Sequence, residues 1–161
     1  SLPSCKYRIA ISWRWLLSNE EQNLIVVHDS LLPKYRGFNP LVTALIQGDT
    51  EIGVTALWAD DEMDAGNIIF QSSCNINYPI TIAAAIQKIT ACYTQVISLI
   101  IETVLANKTL PSLPQDAAKV SYSLWRDEED YHIQWQQPAA QIKRMIDATG
   151  YPYAGAFSMV D

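Results

Sequence analysis

His28 and Asp64 are the two residues of this chain best suited to chemistry. A reaction in which negative charge develops on an oxygen while a proton leaves another atom needs a donor for the first and an acceptor for the second. An imidazole kept protonated by a nearby carboxylate can do the first, and the carboxylate, directly or through water, the second. His28 ends the apolar run 24–27, where a strand would deliver it to the crevice beyond the carboxyl ends of an open α/β sheet, the usual place for a ligand. Asp64 lies in the acidic loop after the next strand. Spacing alone leaves two plainer readings open, a structural pair or a solvated surface histidine.

The elements that must carry these residues follow from periodicity. Segments 7–13 (YRIAISW) and 23–28 (NLIVVH) are short β-branched runs bounded by polar residues, as buried strands of a parallel sheet would be. Leu41, Ala44 and Leu45 share one face of a short crossover helix over 40–47, with Pro40 at its start and Gly48 as its stop. Residues 52–58 and 68–72 read as the next two strands, separated by the polar loop 60–66. From Thr81 to about Ala106, Ile82, Ile86, Ile89, Tyr93, Val96, Ile100 and Val104 recur at intervals of three and four, the mark of a long amphipathic helix. Pro111 and Pro114 punctuate a polar linker. Beyond it, alternation of Tyr131, Ile133 and Trp135 suggests an edge strand, Ile142, Met145 and Ile146 suggest a helix over 139–148, and a final strand follows Gly155.

Within this frame, Ser30-Leu31-Leu32-Pro33-Lys34-Tyr35-Arg36-Gly37, then Gly53-Val54-Thr55, then Asp64-Ala65-Gly66 occur in order. The string resembles the signature of the folate-dependent formyltransferase family, which includes methionyl-tRNA formyltransferases and amino-sugar N-formyltransferases. The resemblance implies an α/β fold, a Rossmann-like formyltransferase core represented by the C-terminal half of its sheet, followed by a short C-terminal extension. It implies 10-formyltetrahydrofolate as co-substrate, with His28 and Asp64 at the positions of the family's catalytic pair. Ser12 to Ser18 looks like the loop lining the pterin pocket, which would put Trp15, Leu16 and Leu17 against the folate, although Trp13 and Trp15 are equally suited to a core. The acidic residues Asp60, Asp61 and Glu62 resemble the opposite wall, or simply a solvated loop. Ser30, Arg36 and Gly37 belong to the substrate-side loop. There Arg36 could pair with a ligand carboxylate or phosphate, or bond loop carbonyls, and Ser30 shapes the turn, with no general base beside it.

Two positions depart from the family pattern. Val26 replaces an asparagine whose amide helps to hold the formyl group, and an isopropyl group donates no hydrogen bond. Leu57 stands where many members carry a second histidine. In the family the catalytic half is also preceded by further sheet and helix that this chain lacks, which would leave an apolar sheet edge exposed.

Composition narrows the alternatives. With 161 residues, 49% apolar and 17% charged, the chain suits a packed globule rather than a disordered segment. The expected division is a catalytic half over 1–110, a linker over 111–120 and the start of a C-terminal module over 121–161. A net charge of −6 argues against a protein built mainly to grip a phosphate backbone. Three cysteines without metal-ligand spacing read as free thiols in a reducing, cytoplasmic setting, and no metal site is expected. Segment 96–106 falls short of a membrane span, and the start at Ser1 shows no signal-peptide pattern.

Segments 131–146 and 152–157 look like the junction into the C-terminal module of methionyl-tRNA and amino-sugar formyltransferases, a junction that glycinamide formyltransferases lack. Trp125, Tyr131 and Trp135 would anchor that segment or stack on a base or sugar. Acidity favours a nucleotide-linked amino sugar as acceptor over tRNA. A homodimer and a degenerate folate- or protein-binding domain without turnover stay open.

Overall fold

The computed structural model describes residues 5–12 and 23–159. Four strands form the main sheet, in the order β1 (Arg8–Ile11), β2 (Leu24–His28), β4 (Glu51–Trp58) and β5 (Ile68–Asn75). A second, two-stranded sheet joins β3 (Arg36–Gly37) to β6 (Tyr122–Ser123). Among the described residues there are three α-helices, α1 (Pro40–Gln47), α2 (Ile82–Leu105) and α3 (Ala139–Thr149).

Only the β1–β2 pair of the main sheet is parallel; β4 runs antiparallel to both of its neighbours. The expectation of a parallel sheet with α1 as a crossover is therefore corrected: α1 joins antiparallel strands. The error has a physical source, because six consecutive buried residues of β4 report cover on both faces and carry no information about strand direction. Among the described residues β1 forms one edge of the sheet, with Ile9 and Ile11 exposed.

Helix α2 covers β4 and β5. Its buried stripe of Ile82, Ala85, Ile89, Cys92, Val96 and Ile100 follows the helical repeat, and Thr81 caps it by accepting from the Ala84 amide. At 24 residues it has the length and apolarity of a membrane-crossing helix, more than segment 96–106 suggested, yet this stripe packs on the sheet. Each fully buried Ile or Val there is worth about 1.5–3 kcal/mol. Helix α1 starts from the left-handed Asn39 and Pro40 and ends at Gly48, whose φ of 85° suits glycine. Arg144 of α3 donates to the Ile46 carbonyl at 3.0 Å, tying α3 to the end of α1.

Residues 111–120 run alongside the sheet. Leu113 exchanges backbone hydrogen bonds with Ile68, and the Trp58 indole donates to Pro111 O at 2.9 Å. Further on, the expected edge strand around 131–135 is absent. Residues Glu128–Tyr131 form a 3-10 turn, the Asp127 amide donates to the Asp130 carboxylate, and only a single bridge links His132 to Phe157. The alternation misled because Ile133 is buried whereas Trp135 is 61% exposed, so the three apolar residues share no face. The final strand is reduced to that same bridge.

Candidate functional site

His28 closes β2 opposite Thr55 of β4, and both are buried. Its Nε2 lies 2.8 Å from the Tyr35 carbonyl. A carbonyl only accepts, so Nε2 carries the hydrogen and Nδ1 is the nitrogen turned towards Asp64, 3.5 Å from Oδ2. That oxygen also accepts from the Gly37 amide at 2.8 Å. Two parts of the chain thus fix the pair: the loop after β2 holds the ring, and β3 holds the carboxylate.

The loop owes its shape to Thr55. Its hydroxyl donates to Ser30 O at 2.6 Å and accepts from the Leu32 amide at 3.1 Å, while Gln71 donates to both Leu32 O and Thr55. Ser30 is buried, and its hydroxyl donates to Lys34 O at 2.6 Å. Tyr35, Asn39 and Asp64 all adopt left-handed backbone with φ between 50° and 62°. Such conformations are unfavourable for residues with a Cβ, and their concentration around one pair shows that surrounding contacts impose them. Gly37, at φ 101°, has no room for a side chain, since a Cβ would sit 2.5 Å from Ser123 O.

The pair opens on a cleft of about 430 Å³. Val26 and Leu57, the two departures noted in sequence, face each other in antiparallel register and both line it. They form one apolar patch beside His28. Asp29, Asp60, Met63, Tyr93 and Tyr153 line the cleft as well. Asp61 and Glu62 are absent from the lining. Trp15, Leu16 and Leu17 lie outside the described residues. Arg36 is buried, and its guanidinium is engaged by Gln115 at 2.9–3.0 Å and by Glu62 at 3.7 Å, a structural placement away from the cleft.

Sequence reasoning missed Tyr35, Gln71, Asp29, Tyr93 and Gln115. Tyr35 and Gln71 act through a carbonyl and a loop contact, which leave no trace in residue type or spacing. Asp29 accepts a hydrogen bond from the Tyr93 hydroxyl, and burial pushes its carboxyl above the ordinary carboxylate range, opposed by the neighbouring His28. The folded chain therefore holds this proton more tightly than the unfolded chain, whose aspartate titrates near about 3.9. Ionised Asp29 thus weighs against folding at pH 7, and the penalty fades as pH falls through the raised value. Asp29→Asn is expected to melt higher than wild type at pH 7, with the difference shrinking towards pH of about 4. Melting curves across that range check this; a difference independent of pH would refute it.

Comparison with known proteins agrees with this architecture. Residues 10–101 match the formyl transferase family and residues 126–161 the formyl transferase C-terminal domain. The chain belongs to the formyl transferase family. Among its relatives is the methionyl-tRNA formyltransferase of Moorella thermoacetica, 32% identical over 146 residues, which cover 91% of this chain and 46% of that protein. The chain thus spans less than half the length of that relative. Solved structures share its fold. HypX from Aquifex aeolicus in complex with tetrahydrofolic acid superposes with a TM-score of 0.81 at 21% identity, over 96% of this chain and 27% of that one. The N-formyltransferase from Helicobacter canadensis, in complex with folinic acid and dTDP-3-aminofucose, gives 0.74 at 24% identity, over 87% and 53%.

Proposed function

We propose that the protein transfers the formyl group of 10-formyltetrahydrofolate to a primary amine, with His28 and Asp64 as its catalytic residues. The carrying observation is the orientation of His28: Nε2 lies 2.8 Å from Tyr35 O, which leaves Nδ1 facing the Asp64 carboxylate, so that the imidazolium form of the ring would present an N–H beside it. There it can donate to the formyl oxygen as charge develops. Asp64 balances the charge on the ring and, held by the Gly37 amide, accepts the proton leaving the amine, directly or through water. Asp60, which lines the cleft, would be the member of the acidic trio to meet the folate in this reading.

A nucleotide-linked amino sugar is the proposed acceptor. Support comes from the net charge of −6, unfavourable for tRNA, and from the likeness to the Helicobacter enzyme bound to such a sugar. The second reading, methionyl-tRNA, is favoured by the 32% identity to the Moorella protein. Turnover of the whole protein with 10-formyltetrahydrofolate decides between them, offering methionyl-tRNA in one arm and a panel of nucleotide amino sugars in the other. Formylation of a sugar is expected; turnover of methionyl-tRNA alone overturns the acceptor, and turnover of no amine overturns the reaction.

The apolar patch makes a further prediction. An asparagine at 26 would place an amide against Leu57, which is 1% exposed, where an unpartnered polar group costs about 1–3 kcal/mol. Val26→Asn is therefore expected to lower turnover, because the cleft is built around the Val26–Leu57 pair. A gain in turnover would instead mark Val26 as a lost donor in a domain drifting towards binding alone.

A further inference from the structure

One side chain outside the cleft bonds both the turn that carries Asp64 and the strand that receives its carboxylate. The amide nitrogen of Gln115 donates to Asp64 O at 2.7 Å and to Gly66 O at 2.8 Å, while its Oε1 accepts from Arg36 Nε at 3.0 Å and Nη2 at 2.9 Å. Both amide hydrogens and both lone pairs are thereby used. Asp64 is held in left-handed backbone at φ 55°, and its carboxylate reaches the amide of Gly37, the residue next to Arg36. Gln115 therefore spans the two strips of chain whose separation sets the Asp64–Gly37 bond and the Asp64–His28 approach.

The segment that carries Gln115 is itself fixed to the site. Ser121 Oγ accepts from the Tyr35 amide, β6 pairs with β3, and the Ser123 hydroxyl bonds Phe38 O. Residues 111–123 are thus tied to the chain around the pair, and Gln115 is their single contact with the Asp64 carbonyl among the bonds of the described residues.

We infer that Gln115 is a positioning residue for the transfer reaction: by clamping Asp64 O and Gly66 O to Arg36, it sets the place of the Asp64 carboxylate against His28. The inference rests on the formyl-transfer reading for its kinetic consequence and on geometry alone for its structural one. A carboxylate displaced by about an ångström from its working geometry costs on the order of 10²-fold in rate.

Two variants separate clamping from mere tethering. Gln115→Ala removes every contact. Gln115→Glu keeps an oxygen for Arg36 but turns a second oxygen, unable to donate, onto the carbonyls of Asp64 and Gly66. In the whole protein both are expected to lower kcat by about ten- to a hundredfold, with KM for the folate and for the amine changed less than about twofold. The Gly37 amide proton, bonded to the Asp64 carboxylate, should resonate well downfield in the wild-type NMR spectrum and move upfield in both variants, while Val54 in central β4 stays in place. Wild-type kcat in Gln115→Glu, or an unmoved Gly37 resonance, overturns the inference. If Gln115→Ala does not fold, Gln115→Glu decides, because it retains the Arg36 link. If the wild-type protein formylates no amine, the functional reading fails, and the Gly37 resonance still decides whether Gln115 positions Asp64.

Discussion

Replacing His28 by alanine is expected to remove nearly all formyl transfer while leaving folate affinity within a few-fold of wild type. Removing one oxyanion donor costs about 10²–10³ in rate where other donors remain. Here the apolar Val26 and Leu57 offer none on the same wall, so the loss should reach the upper end of that range or exceed it. Asp64→Asn is the sharper companion. The asparagine oxygen can still accept from the Gly37 amide that Asp64 Oδ2 now engages, so the loop keeps its bond and only the charge beside Nδ1 disappears. The two residues act as a unit, so the double variant should be no slower than the worse single one. Single-turnover kinetics with 10-formyltetrahydrofolate, read beside calorimetric folate binding, check all three variants. Ordinary activity in His28→Ala would remove the catalytic assignment altogether.

Why the pair was visible in sequence and much of its support was not follows from what each residue does. His28, Asp64 and the glycines around them are singled out by residue type, because only certain side chains do acid–base work and only glycine accepts the backbone at Gly37. The helices were legible for a similar reason: α2 writes its buried stripe into the three-and-four repeat. Strand direction left no such mark, and β4, buried on both faces, reads alike in either sense. Tyr35 contributes a carbonyl that every residue possesses. Gln115 sits in a stretch whose prolines and polar residues read as a linker, and its importance lies in contacts with residues far away in sequence. Trp135 shows the converse failure, an apolar residue in an apparent alternation that stays mostly exposed.

Replacing Gly66 by alanine is expected to have the second large effect. A Cβ built there would lie 1.8 Å from Trp58 O and 2.9 Å from its carbonyl carbon, inside the 3.0 Å that real Cβ atoms essentially never breach. Both obstacles are backbone, at the end of β4 where the Trp58 amide donates to Asn67 O, so no side chain can swing aside. Gly66→Ala must push the 60–66 turn off the strand, breaking that bond or the one from Gln115 to Gly66 O and carrying Asp64 away from His28. A loss of about 3 kcal/mol or more is expected, the range reached when overpacking meets backbone, together with loss of turnover in whatever fraction stays folded. Gly150→Ala is the control: its Cβ would meet Ile146 O at 3.4 Å, an ordinary contact, and the change should stay within about 1 kcal/mol. Urea midpoints of the two variants, measured with the kinetics, test the claim. A Gly66→Ala protein as stable and active as Gly150→Ala would show that the turn can move away from β4 without disturbing Asp64, and the close approach of Gly66 to Trp58 would then have no part in holding the site.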